Sequence, residues 1–162
     1  MWPFKKEQRK LSIAKESGPG ADRWLLAMGE REGFPMIVRM AEAYLGLAPL
    51  PEFNHRILVS VQMRNPRPDG FPSTEEGADL EALEVKLCGM LESGGDTLCA
   101  LVITNNGVRD FIFQTRNVQR TKEELKRLGE IVRGFRAEIA IEPDPEWSIY
   151  GTFERMVGRS VQ

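Results

Sequence analysis

The chain has 162 residues, enough for one domain with a sizeable core, and 41% hydrophobic beside 28% charged residues describes a folded chain, not a disordered one. A formal net charge of -2 supplies no general attraction to nucleic acid, although a local basic patch is compatible with it. No apolar run reaches the length of a membrane span, and no apolar stretch follows Lys5, Lys6, Arg9 and Lys10 to make a secretory leader.

In chain order, residues 1–22 are polar and end in Ser17-Gly18-Pro19-Gly20, which predicts a weakly docked arm ahead of a single domain over 23–162. Trp24 to Met28 and Met36 to Met40 read as strands of a hairpin, with Gly33 and Pro35 in the connection. Ile57, Val59, Val61 and Met63 alternate with Leu58, Ser60 and Gln62, the pattern of a strand with one strongly apolar face. Asn65 to Pro72 holds three prolines and a glycine and reads as a loop. Ser73-Thr74-Glu75-Glu76 spells a capping box, in which the serine oxygen accepts from the N–H three residues on and Glu76 reaches back. Leu80, Leu83, Leu87, Met90 and Leu91 then lie along one helical face, and Gly94-Gly95 ends the helix.

Thr97 to Thr104 is apolar on both faces and suits a strand. Asn106-Gly107 signals a tight hairpin turn into Val108 to Thr115, because both residues tolerate positive φ. Thr121-Lys122-Glu123-Glu124 reads as a second capping box, with Leu125, Leu128, Val132 and Phe135 at helical spacing behind it. Phe135 to Ile141 alternates as a last strand, stopped by Pro145, which has no N–H for a ladder. Trp147 and Tyr150, three apart, share a face of any helical turn that follows; with Trp24 they read as structural aromatics, a clasp closing the core. From His55 the order β-α-β-β-α-β predicts an α+β ferredoxin-like plait: an antiparallel sheet with two helices on one face, the 55–63 and 108–115 strands central, preceded by an N-terminal β-hairpin that extends one edge.

Chemistry is sparse. One histidine, His55, and two distant cysteines lack metal-ligand spacing, and no phosphate-cradling glycine motif is present, so neither a metal nor a cofactor is expected. Cys88 and Cys99 sit in apolar periodic segments and read as buried free thiols in a reducing cytoplasm; neither shows the electropositive setting of a nucleophile, and no catalytic residue is assigned. Glu142, Asp144 and Glu146 follow the last strand, and Asp69 lies in the long loop. Paired carboxylates serve as general acid and base or hold a divalent cation, but the plainer reading is a solvated acidic turn whose Asp caps a final helical turn. Arg109-Asp110-Phe111-Ile112-Phe113 has the basic and aromatic spacing of the third strand of an RNA recognition motif, without that motif's small residues. Turning both phenylalanines to solvent would set Asp110 and Gln114 against the helices, so Phe111 and Phe113 are expected in the core, and nucleic acid is disfavoured as a partner.

Trp24 with Gly33-Phe34-Pro35, then Asp69-Gly70-Phe71-Pro72, Leu80, Leu83 and Glu84, then Thr104, Gly107 and Arg109, and finally Asp144-Pro145, Trp147 and Tyr150 together resemble the bacterial family catalogued as domain of unknown function 695, over residues 24–155. That family looks similar in fold to the regulator of ribonuclease activity B, a small acidic plait that inhibits a ribonuclease by binding it. The resemblance implies the plait and, by analogy, a regulatory role; it supplies no catalytic residues. The expectation is therefore a cytoplasmic, non-enzymatic domain that binds another protein, with Asp69, Arg109, Glu142, Asp144 and Glu146 as contact groups. The alternatives are a small-ligand-binding or metal-assisted hydrolytic enzyme, using a crevice between the Asn65–Pro72 loop and the Asp144–Tyr150 segment, and a single-stranded RNA binder. No membrane association is expected, and the chain would be a monomer or a homodimer through an edge strand.

Overall fold

The computed structural model describes residues 12–15 and 24–160 of the chain. In order these form β1 (Ser12–Lys15), β2 (Trp24–Arg31), β3 (Phe34–Ala41), a short 3-10 turn (Glu42–Tyr44), β4 (His55–Gln62), α1 (Thr74–Glu92), β5 (Thr97–Asn105), β6 (Val108–Thr115), α2 (Val118–Leu125), α3 (Leu128–Ile131), β7 (Arg136–Pro143) and α4 (Ser148–Ser160). The fold is α+β: one sheet in the order β1-β2-β3-β5-β6-β4-β7, antiparallel at every pairing. The hairpin expected over 24–40 is present and extends the sheet through β3 on β5. Part of the expected arm is a strand, since Ser12–Lys15 pairs with β2; the rest of residues 1–22 lies outside the described residues.

Turn chemistry explains two hairpins. Asn106 and Gly107 take φ of 47° and 79° between β5 and β6, the pair of positive values that matches strand twist. Glu32 and Gly33, at 53° and 83°, do the same between β2 and β3. The capping residues match in part. Ser73 caps α1 and accepts from the Glu76 N–H at 3.2 Å, but Glu76 does not reach back: its carboxylate accepts from the Arg64 and Asn65 backbone N–H groups at 2.7 and 3.1 Å. The second box is displaced. Asn117, not Thr121, caps α2, and Thr121 is buried inside the helix, where its hydroxyl meets those of Thr97 and Thr115. The following helical pattern breaks at Lys126 into α2 and α3.

Each sheet face is half covered by helices, and on opposite halves. Leu80, Leu83, Leu87 and Leu91 of α1, with Leu125 and Leu128, pack on Ile57, Val59, Val61, Val102, Phe111 and Phe113 of β4, β5 and β6. On the other face Ile149, Tyr150, Phe153 and Val157 of α4 pack on Leu25, Ala27, Met36, Val38, Met40, Leu101 and Ile112. The sequence pattern foresaw a helical turn after Trp147; the structure has thirteen helical residues there. The clasp is real: Trp147 and Tyr150 are 0% and 1% exposed, their rings meet edge to face at 5.7 Å, and they donate to the carbonyls of Phe53 (3.0 Å) and Ala41 (2.6 Å). Among the described residues no helix is long and apolar enough to cross a membrane.

Candidate functional site

Two of the expected acidic contacts are committed to architecture. Asp144 is 5% exposed; its carboxylate caps α4 by accepting from the Ser148 N–H at 3.0 Å and hydroxyl at 2.8 Å, from Gln114 at 3.1 Å, and pairs with Arg56 at 3.0 Å. Glu142 pairs with the same arginine at 2.7 Å, and Glu146 is exposed. Asp69 accepts from the Phe71 N–H at 3.0 Å and pairs with Arg67; that backbone donor and the guanidinium hold its carboxyl below the usual range.

The crevice expected between the two loops is absent. Asp144 is tied to Asn54, just before β4, by a 2.7 Å backbone bond. The Asp69 loop is tied to the far end, where Met63 donates to Gly107 and Gly107 donates to Gly70, both at 2.8 Å. The eight residues of β4 span about 25 Å between them at the usual strand rise. Among the described residues no three His, Cys, Asp or Glu side chains converge.

Phe111 and Phe113 are 0% exposed and face α1 and α2, as expected, so they offer no stacking surface. Asp110 and Gln114 turn to the opposite face, and they are buried there too. Asp110 accepts from the Ser60 hydroxyl, and burial pushes its carboxyl pKa up against the pull of Ser60 and Arg31.

Arg109 stands elsewhere. Strand register places Met28, Ile37, Thr104, Arg109, Val61 and Ala137 in one row across the sheet, and Leu26, Arg39, Val102, Phe111, Val59 and Ile139 in the next. Both rows face α1. That helix packs on their β4–β6 ends and reaches toward β2 and β3, where Trp24 packs against the same cluster and Glu84 meets Arg39. There Met28 is 43% exposed, and Trp24, Leu26 and Ile37 are half-buried. Arg109 sits at the boundary. Its Nε donates to Thr104 Oγ1 at 2.9 Å, and it makes no ion pair among the described residues. Arg39, one row over, grips both carboxylate oxygens of Glu84 on α1 and stacks on Trp24 with its guanidinium 5.3 Å from the ring centre. Burial, then the nearby Arg39 charge, lowers the Arg109 pKa against the weaker pull of Glu84 and Glu81.

Leu26, Ile37, Arg39 and Met28 were not singled out from the sequence, yet a signal was there: Trp24-Leu25-Leu26-Ala27-Met28 is apolar at both parities, the pattern of a strand with two faces to bury. Sequence separation also hid the two cysteines' contact. Cys88 of α1 and Cys99 of β5 meet, and the bond to Cys88, with burial, raises the Cys99 thiol pKa well above the ordinary value. An open groove of about 740 Å³ runs between α1 and α3 over Met90 and Ile131, but Lys86, Arg127, Glu124 and Glu130 line it with both signs of charge.

Among known proteins, no curated protein and no solved structure matches the chain. The model of a family of unknown function, DUF695, matches residues 22–153, from the first hairpin through the capped start of α4. With most of its length inside that match, the chain belongs to the DUF695 family.

Proposed function

We propose that this chain is a non-enzymatic, regulatory domain that binds another protein on the half-face of β2 and β3 beside α1. One observation carries the reading: an apolar sheet surface, Leu26, Met28 and Ile37, stands beside the arginine pair Arg39 and Arg109, with Met28 43% exposed. Apolar centres edged by arginine are common at interfaces. The strand order β5-β6-β4-β7, with α1, α2 and α3 on one face, supports a ferredoxin-like plait at the centre of the domain. A plait that acts by binding is what the likeness to the regulator of ribonuclease activity B suggests, and a reducing cytoplasm suits two touching free thiols. Dimerisation through β7 is the weaker reading, because Arg136, Glu138 and Glu142 place charges along that edge.

Affinity capture with the intact chain and two folded variants tests the proposal. The wild-type chain should retain a stoichiometric protein partner, Met28→Glu should lose it, and Glu142→Arg, on the other face, should keep it. Absence of a stoichiometric partner, or loss through Glu142→Arg with Met28→Glu unaffected, overturns it.

A further inference from the structure

Cys88 and Cys99 are the chain's only two cysteines, and the fold brings them together from different elements. A bulge in β5 makes the meeting possible. The register of β5 on β6 slips between Cys99 and Leu101, so Ala100 is an extra residue in the strand. Past the slip, Val102 packs in the α1 core, and strict alternation back from it would turn Ala100 toward α1 and Cys99 away. The bulge reverses this: Ala100 joins Leu101 in the α4 core, and Cys99 is re-aimed into the α1 core. Cys88, on α1, packs against that core and meets Cys99 there. The two thiols differ in access. Cys99 is 4% exposed, whereas Cys88 is half-buried and within reach of a small oxidant. The bond to Cys88, burial, and the Glu92 and Glu84 carboxylates keep the Cys99 thiol protonated, so oxidation starts at Cys88.

We propose that Cys88 and Cys99 are a peroxide-sensitive dithiol, in which the outer thiol of Cys88 is oxidised first and Cys99 resolves it to a disulfide that pins α1 to β5. The Cys88 thiolate attacks one peroxide oxygen. The O–O bond breaks, hydroxide leaves and takes up a proton to become water, and Cys88 becomes a sulfenic acid. The Cys99 sulfur then attacks the Cys88 sulfur. The S–S bond forms, the S–O bond breaks, and the leaving hydroxide takes the Cys99 proton as a second water. The sulfurs together lose two electrons, which the peroxide gains. A dithiol reductant returns both thiols by exchange.

Hydrogen peroxide, added in stoichiometric amount to the reduced, folded chain, should give a monomer lighter by two hydrogens. The loss should be confined to the tryptic fragment from Leu87 to Arg109, which carries both cysteines. Dithiothreitol should restore the starting mass. Cys99→Ala should stop at the sulfenic acid, trapped on Cys88 as a dimedone adduct, and Cys88→Ser should leave Cys99 unmodified. A disulfide-linked dimer, a disulfide that forms only after unfolding in urea, or oxidation of Cys99 in folded Cys88→Ser overturns the proposal. So does an unreacted Cys88 at a peroxide dose that oxidises free glutathione. Should Cys99→Ala fail to fold, the wild-type mass and Cys88→Ser decide.

Discussion

Asp110 is the residue whose chemistry is least explained by architecture. Its carboxylate is 7% exposed, it accepts from Ser60, and its row neighbour on the other side is Ile103. Burial raises its pKa, so the folded chain holds this proton more tightly than the unfolded chain does. The sign follows: the group is stabilising, relative to its ionised form, below the ordinary aspartate pKa, and stability falls as pH rises through the folded value. Asp110→Asn keeps an acceptor for Ser60 and removes the charge. Its melting temperature should exceed that of the wild-type chain by a few degrees at neutral pH, and the gain should vanish in acid. A gain that is the same at all pH values, or a loss at neutral pH, would show that Arg31 and Ser60 fully compensate the charge. Asp144 shows the contrasting case: equally buried, it is satisfied by Arg56, Gln114 and the start of α4, and its carboxylate serves structure first.

The segment from Asn65 to Pro72 depends on close backbone approach. Gly70 has φ of 86°, and a Cβ there would lie 2.6 Å from the Asn106 Cα and 2.8 Å from its nitrogen. Those atoms belong to the β5–β6 turn and cannot swing aside as a side-chain tip can. Gly70→Ala should therefore cost about 1–3 kcal/mol by chemical denaturation, from combined strain and overpacking. An unchanged unfolding midpoint would mean that the loop lifts freely from the turn. Local chemistry of this sort is what made the elements readable: Asn106-Gly107 marked its turn, Ser73 its cap, and the period-two run from Ile57 its strand and buried face. The misreadings have tertiary causes. Thr121 resembled a cap, but the hydroxyls of Thr97 and Thr115 draw it inside. Glu76 resembled the returning half of a capping box, but two loop N–H groups draw it away. Gly151 and Gly158 weakened the helical signal of α4, whose stability comes from the sheet beneath it. The candidate face was the least legible part, because Met28, Ile37, Thr104 and Arg109 become neighbours only through the register of four strands.

At the level of the whole molecule, one sheet carries two cores on opposite faces and opposite halves. The first joins β4, β5 and β6 to α1, α2 and α3; the second joins β2, β3 and β5 to α4. β5 belongs to both, which is why its side chains are almost all buried on either parity. A molecule built this way can open in parts, since among the described residues α4 is the helix that covers the hairpin half and it packs there on one core only. Phe153 is 0% exposed at the centre of that cover. Phe153→Ala should destabilise the α4 core by about 3–5 kcal/mol. In native-state hydrogen exchange the amides of α4, β2 and β3 should then exchange markedly faster, while those of β4 and β6, roofed by α1, should change less. Uniform acceleration across all strands would instead show that β5 welds the two cores into one cooperative unit. Partial opening would also bear on binding: β2 and β3 present the proposed docking face on one side and rest on α4 with the other, so loosening α4 should weaken partner capture without touching a residue of that face.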